Sequence, residues 1–303
     1  MTSRAPYRGR FAPSPTGPLH FGSLIAAVAS YCQAKTNHGE WLLRIEDIDR
    51  PREVTGASDD ILRHLEKLGF AWDGPVTYQR DRIDYYQHAF QQLKAQQLIY
   101  PCICSRKDIA KLNPFGIYPG TCRNGLATTP PATSSWRIRT ESSKVVFTDQ
   151  IQGMVSYRLD HEIGDFVIKR TGGLFSYQLA VALDDVLQHI TEVVRGYDLL
   201  DSTPRQIFIQ QQLGYTHPNY AHHPIAMNLD GEKLSKQTFA KAIHQNDAAQ
   251  SIYQALVFLG QSPPHELQFE SIKRIWAWAI EHWQLNRIPP CKSIEINQPA
   301  ALV

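Results

Sequence analysis

Four groups of side chains in this sequence have types and spacings suited to chemistry. The first lies within Arg10-Phe-Ala-Pro-Ser-Pro-Thr-Gly-Pro-Leu-His-Phe-Gly-Ser23, where prolines and a glycine force an abrupt change of direction just before His20 and Gly22. A helix that starts there presents unpaired N–H groups and partial positive charge, so the junction suits a phosphate. Gly22 lets a ligand approach the backbone closely. Read alone, His20 either serves such a ligand or caps the helix. The second group is Glu46-Asp-Ile-Asp-Arg50, a run of carboxylates after an apolar stretch, where open α/β sheets place their ligands. Read alone, a solvated loop is the favoured reading of it. The third is Cys102, Cys104 and Cys122. Thiols one residue apart do not readily pair with each other, but they can face a common metal. Zinc takes thiolate sulfur readily and prefers four ligands, so three cysteines leave one position to fill. Three unconnected thiols are the other reading. The fourth group is Lys233-Leu-Ser-Lys-Gln237, two lysines beyond a turn at Asp230-Gly231.

The elements that must position these groups follow from apolar spacing. Residues 8–12 read as a short strand, and Leu24, Ile25, Val28, Ala29 and Cys32 make one face of a helix running to about Thr36. Glu40 to Ile45 suits a buried parallel strand. Residues 59–68, stopped by Gly69, and 80–97, with Ile83, Tyr86, Phe90 and Leu93 inward, read as helices. Strands alternating with helices predict an α/β fold with a doubly wound parallel sheet. The pattern breaks over residues 101–170, where short β-like runs (136–139, 145–148, 154–158 and 166–169) read as an insertion between two halves of that fold. Gly172-Gly173, between Asp165–Arg170 and Phe175–Ala182, reads as a hairpin signal. Ile190 to Asp198 is a buried strand that ends in charge, Asp201-Ser-Thr-Pro204 opens a helix that Gly214 ends, and Pro224 to Met227 is a last short strand. Helices at 248–259 and 271–282 follow, with Trp276, Trp278 and Trp283 for packing. Cys32 reads as helix core, and Cys291 has no legible role.

At 303 residues the chain is long enough for a buried core and about two domains, and 43% hydrophobic with 20% charged residues is ordinary for a soluble protein. The absence of a signal-type N-terminus and of a membrane-length apolar run gives cytoplasmic residence as the expectation. Five cysteines do not suggest a disulfide framework. With a net charge of only +2, any RNA contact must come from a local basic patch. Its candidates include Arg4, Arg8, Arg10, Arg50, Arg52, Arg80, Arg82, Arg106, Lys107, Lys111 and Arg123.

His20-Phe-Gly-Ser23 and Lys233-Leu-Ser-Lys-Gln237, in this order and more than two hundred residues apart, resemble the two signatures of class I aminoacyl-tRNA synthetases. Arg10 to Gly17 is similar to the glutamyl branch of that class, and the cysteine set to the glutamyl-queuosine tRNA(Asp) synthetases. Two positions depart from the class pattern: Ser23 stands where it has a second histidine, and Gln237 where the lysine loop usually ends in serine. The resemblance implies a Rossmann-type catalytic domain in two halves, 1–100 and 171–240, around a zinc-containing α+β subdomain at 101–170, with a small helical region at 241–303. It implies Tyr118 as the fourth ligand to one structural zinc beside Cys102, Cys104 and Cys122. Glutamate would meet Arg10, Phe11, Ala12, Pro13, Ser14, Glu46, Tyr177 and Arg195, with Glu46 on its ammonium group. ATP, with Mg2+, would meet His20, Gly22, Ser23 and Lys236. His20, Gly22, Lys233 and Lys236 would serve the chemical step.

An acidic side chain needs fixed cations, and Arg10 and Arg195 offer bidentate guanidinium groups that a glutamine side chain would satisfy poorly. Adenylation needs positioning and charge stabilisation more than acid–base catalysis. The resemblance therefore implies activation of glutamate to glutamyl-adenylate without tRNA, then transfer to the cyclopentenediol of queuosine at the wobble position of tRNA(Asp), the partner being its anticodon stem-loop. About sixty-five residues beyond the lysine loop leave no room for the anticodon-binding region of a glutamyl-tRNA synthetase, and a monomer is expected. The competing readings are a minimal synthetase that charges a tRNA 3′ end, and a non-catalytic paralogue that binds amino acid or RNA.

Overall fold

The computed structural model describes residues 6–126, 129–131, 133–228 and 248–296. Strand β1 (Arg8–Phe11) runs into the proline-rich stretch and helix α1 (Phe21–Thr36) leaves it. Small residues let α1 lie close against its neighbours, and every residue from Ala27 to Ala34 is buried, so this helix is covered nearly all round. It crosses over to β2 (Glu40–Ile45), which pairs parallel with β1 in the register Arg10↔Leu42 and Phe11↔Leu43. Helix α2 (Ala57–Lys67) ends at Gly69, whose φ of +75° is open to glycine, and β3 (Thr77–Tyr78) extends the sheet beyond β2. Helix α3 (Ile83–Ala95) buries Tyr86, Phe90 and Leu93. Ile83, expected inward with them, is 39% exposed, because residues 79–82 form a separate 3-10 turn and leave it in the first turn of the helix.

A small antiparallel sheet follows, of β4 (Ile99–Cys102), β5 (Ser135–Ile138) and, later in the chain, β8 (Phe166–Lys169). Helix α4 (Arg106–Leu112) starts at a capping box between Ser105 and Asp108. Strands β6 (Lys144–Asp149) and β7 (Gly153–Arg158), which fall within the stretch read as an insertion, form a hairpin that does not join this sheet. The short helix α5 (Leu159–Glu162) leads from β7 back to β8. The hairpin signalled by Gly172-Gly173 amounts to a single bridge, Lys169↔Phe175. Its expected second arm is helix α6 (Tyr177–Leu187), started by Ser176, whose hydroxyl accepts the Leu179 N–H. A short apolar run does not by its period distinguish buried helix from buried strand, and here the cap decides.

Strand β9 (Glu192–Gly196), helix α7 (Thr203–Gln212) and strand β10 (Asn219–His223) complete the second half. β10 pairs parallel with β9 over its whole length and with β6 through Tyr220↔Asp149, giving the order β7-β6-β10-β9. β1 lies beside β9, where the Thr191 N–H donates to the Arg8 carbonyl over 2.9 Å. The parallel sheet β1-β2-β3 and the mixed sheet β7-β6-β10-β9 thus meet edge to edge through β1 and β9, and the carboxyl ends of parallel strands are where α/β folds hold ligands. Strand β11 (Ile225–Met227) pairs with β12 (Ser293–Glu295), so the region read as helical also supplies a strand. Helices α8 (Ala248–Phe258) and α9 (Ile272–His282) lie against α1. Among the described residues no helix is long and apolar enough to cross a membrane.

The C-terminal helices are joined to the first half by Trp276, which meets Tyr31 and Phe70 and donates its indole N–H to the Leu68 carbonyl over 2.9 Å. Trp276→Ala is expected to cost about 3–5 kcal/mol of stability. Thermal unfolding followed by circular dichroism should show a clearly lowered midpoint, and an unchanged midpoint would contradict this packing.

Candidate active site

Eleven of the residues singled out from the sequence line one cavity of about 530 Å3 where β1, β2 and β9 end: Arg10, Phe11, Ala12, Pro13, Ser14, His20, Gly22, Ser23, Glu46, Tyr177 and Arg195. The loop from β1 to α1 is held on β2 by the Glu46 N–H, which donates to the Pro13 carbonyl over 3.0 Å. Gly17 turns it with a φ of +136°. His20 takes the N-cap position with extended backbone, but its side chain does not cap the helix. Its Nε2 instead lies 3.0 Å from the Ser23 hydroxyl, inside the cavity wall. Gly196, Asp198, Leu199 and His223 also line the cavity and were not singled out from the sequence. Their signal was positional: Gly196 closes β9, Asp198 and Leu199 follow it, and His223 closes β10.

Burial of charge shapes the floor. Arg10 donates through Nε and Nη2 to the two carboxylate oxygens of Asp185, at 3.1 and 3.4 Å. Arg44 Nη2 reaches the same carboxylate at 2.9 Å and Glu46 at 3.5 Å. Asp184, beside Asp185 on α6, takes the Tyr86 hydroxyl, the Gln79 amide and Arg82. Burial opposes ionisation of Asp185, but Arg10 and Arg44 outweigh it and hold its carboxyl below the usual range. At Glu46 burial wins over the pull of Arg44 and Arg10, and its carboxyl is pushed up to about 7. Neither Asp184 nor Asp185 was singled out from the sequence, although two adjacent carboxylates within an apolar helix require buried cations.

Arg195 is held differently. Its guanidinium is 4% exposed, with Nε directed to His222, and Nη2 to the Thr203 hydroxyl at 2.8 Å and the Gln206 amide oxygen at 2.9 Å. Its Nη1 is buried with no hydrogen-bond partner among the described residues. A buried, unsatisfied cationic donor in a cavity wall is a place for an anion. Burial raises the Tyr177 pKa, so that side chain offers a neutral hydroxyl.

The cysteine set converges outside the cavity. The sulfurs of Cys102, Cys104 and Cys122 lie within 4.8 Å of one another. The Tyr118 hydroxyl is 3.4 Å from Cys102 Sγ and 3.9 Å from Cys104 Sγ, and it accepts the Cys122 N–H at 2.8 Å. Three sulfurs and one phenol oxygen facing one point fit a zinc ion in ligand type and number. Lys233 and Lys236 lie outside the described residues.

A family model described as the catalytic domain of class I tRNA synthetases (E and Q) matches residues 7–115 and 118–279. A glutamyl-Q tRNA(Asp) synthetase of Dechloromonas aromatica (strain RCB) is 53% identical over 291 residues, covering 94% of this chain and 96% of that protein. One from Aromatoleum aromaticum is 48% identical over 302 residues, covering 98% of this chain and 94% of that protein. Among solved structures, a glutamate-tRNA synthetase from Elizabethkingia anophelis superposes with a TM-score of 0.80 at 24% identity, over 97% of this chain and 68% of its own. A glutamate tRNA ligase from Elizabethkingia meningosepticum, crystallised with its amino acid, gives 0.78 at 24% identity, over 95% of this chain and 66% of its own. The two structures share the fold with this chain, which spans about two thirds of their length.

The raised Glu46 pKa sets a pH dependence. Its folded value of about 7 lies above the ordinary 4.5, so the carboxyl stabilises the fold below pH 4.5 relative to its effect above pH 7, where the folded state must carry the charge. Glu46→Gln is expected to melt higher than the parent at pH 8, with the difference closing by about pH 4.5. Melting curves across that range check it, and a variant that melts lower at pH 8 would contradict the burial argument.

Proposed function

Because this chain belongs to the glutamyl-Q tRNA(Asp) synthetase family, within the class I tRNA synthetases of the E and Q type, we propose that it activates glutamate with ATP, without tRNA, and transfers it to the cyclopentenediol of queuosine at the wobble position of tRNA(Asp). The observation that supports the amino-acid choice is that Arg10, Arg195 with its unsatisfied Nη1, and Glu46 all line one cavity. Two carboxylates and one ammonium group answer those three side chains. Tyr177 and Ser14 add hydroxyls, and Phe11, Ala12 and Pro13 shape the wall.

In this reading ATP lies over the start of α1, with His20, Gly22 and Ser23 around its phosphates. A glutamate carboxylate oxygen attacks the α-phosphorus in line, the bond to pyrophosphate breaks, and glutamyl-adenylate remains. Lys233 and Lys236 would offset the charge on the departing pyrophosphate. Magnesium would come with ATP, held largely by phosphates and water. A queuosine hydroxyl then attacks the glutamyl carbonyl, gives up its proton, and AMP leaves. Cys102, Cys104, Cys122 and Tyr118 would hold one zinc, whose part would be structural, tying β4 to the loop that follows it.

With radiolabelled glutamate, ATP and Mg2+, the protein is expected to label queuosine-containing tRNA(Asp) and not the same tRNA without queuosine. Label on the unmodified tRNA that vanishes after periodate oxidation of its 3′ diol would contradict the reading. Metal analysis is expected to find about one zinc per chain, lost in Cys122→Ala; a parent protein purified without chelator that holds no zinc would refute the metal assignment.

A further inference from the structure

Behind Arg195 lies a buried pair of side chains with no part in the chemistry so far described. Strand β10 carries His222 in register with Arg195 of β9, and Asp149 closes the neighbouring strand β6. Asp149 and His222 are 1% and 0% exposed. His222 Nδ1 is 2.6 Å from Asp149 Oδ2, and Arg195 Nε is 3.0 Å from His222 Nε2. A guanidinium only donates, so Nε2 must accept, and the ring proton therefore sits on Nδ1 and is donated to Asp149. Burial and the nearby Arg195 charge push His222 down to about 4, against the pull of Asp149, in keeping with a neutral ring.

Among the described residues the Arg195 guanidinium donates to uncharged acceptors: the His222 ring, the Thr203 hydroxyl, the Gln206 amide and the Leu199 carbonyl. Arg10, in contrast, already faces the Asp185 carboxylate. Arg195 is thus oriented on one edge while its charge stays available on the other.

We propose that Asp149 and His222 are positioning residues for substrate recognition: Asp149 fixes the ring tautomer of His222, and that tautomer holds Arg195 so that Nη1 meets a substrate carboxylate. The inference rests on the reading that this cavity takes glutamate. Asp149 Oδ1 makes the test sharp, because it accepts three backbone N–H groups, from Ile151 at 3.0 Å, Gln152 at 2.9 Å and His222 at 3.1 Å. In Asp149→Asn those three donors retain the amide oxygen at that position, and the NH2 group must face His222 Nδ1. The ring proton then moves to Nε2, where it confronts the Arg195 N–H and has the Thr203 hydroxyl, 3.1 Å away, as its acceptor, so that an isosteric change removes the hydrogen bond that Arg195 Nε donates to the ring.

Glutamate-dependent ATP–pyrophosphate exchange, without tRNA, reads the outcome. Asp149→Asn is expected to raise the glutamate KM by about tenfold or more, leaving the ATP KM within about twofold. In a His222→Gln background there is no tautomer to invert, and Asp149→Asn is expected to add less than about threefold. An unchanged glutamate KM in Asp149→Asn, glutamate and ATP KM rising together, or an undiminished effect in the His222→Gln background would each overturn the inference. Absence of glutamate-dependent exchange in the parent protein would overturn the glutamate reading itself, and is distinguishable because it precedes any substitution.

Discussion

The Asp185 carboxylate, buried between the guanidinium groups of Arg10 and Arg44, is the contact on which the site depends. Arg10 belongs to β1, Arg44 to β2, with Glu46 just past its end, and Asp185 to α6, so one carboxylate ties the first half of the sheet to a helix of the second. Removing one member of such a buried set costs about 3–5 kcal/mol, because the others are left charged and dry. The geometry is therefore held rigidly, and the Arg10 side chain has its direction set before any ligand arrives. Glu46 meets the opposite condition. Burial keeps its charge costly, a condition that a bound ammonium group would relieve.

The two arginines of the cavity are consequently unequal. Arg10 shares its charge with a carboxylate, while among the described residues Arg195 donates to neutral acceptors and its buried Nη1 has no hydrogen-bond partner. An anion that enters gains most from Arg195, and a neutral amide in the same place leaves that cation unanswered. Discrimination built on an unpaired buried group is strong, since the wrong ligand incurs a desolvation penalty as well as a lost bond.

Much of this site was legible from local spacing. Residues 10–23 declare themselves because prolines and glycines permit only a turn into a helix, and the three cysteines because they cluster in twenty-one residues, whereas Tyr118 was implied only by the family resemblance. What stayed hidden was pairing at a distance. Arg10 and Asp185 are 175 positions apart, and Asp149 and His222 are 73 apart, so only the strand order brings them together. The same limit hid the pairing of β6 with β10 inside a stretch read as an insertion, and of β11 with β12 at the far end. At Phe175 to Ala182 the turn signal was sound, but the apolar run after it has no period that separates strand from helix.

The central claim is that this cavity selects an acidic amino acid through fixed, unequally compensated arginines. The most direct measurement compares glutamate, glutamine and aspartate in tRNA-free ATP–pyrophosphate exchange with the parent protein. Exchange that depends on glutamate, with glutamine weaker by at least about a hundredfold, is the result the account predicts. Glutamine supporting exchange as well as glutamate would contradict it.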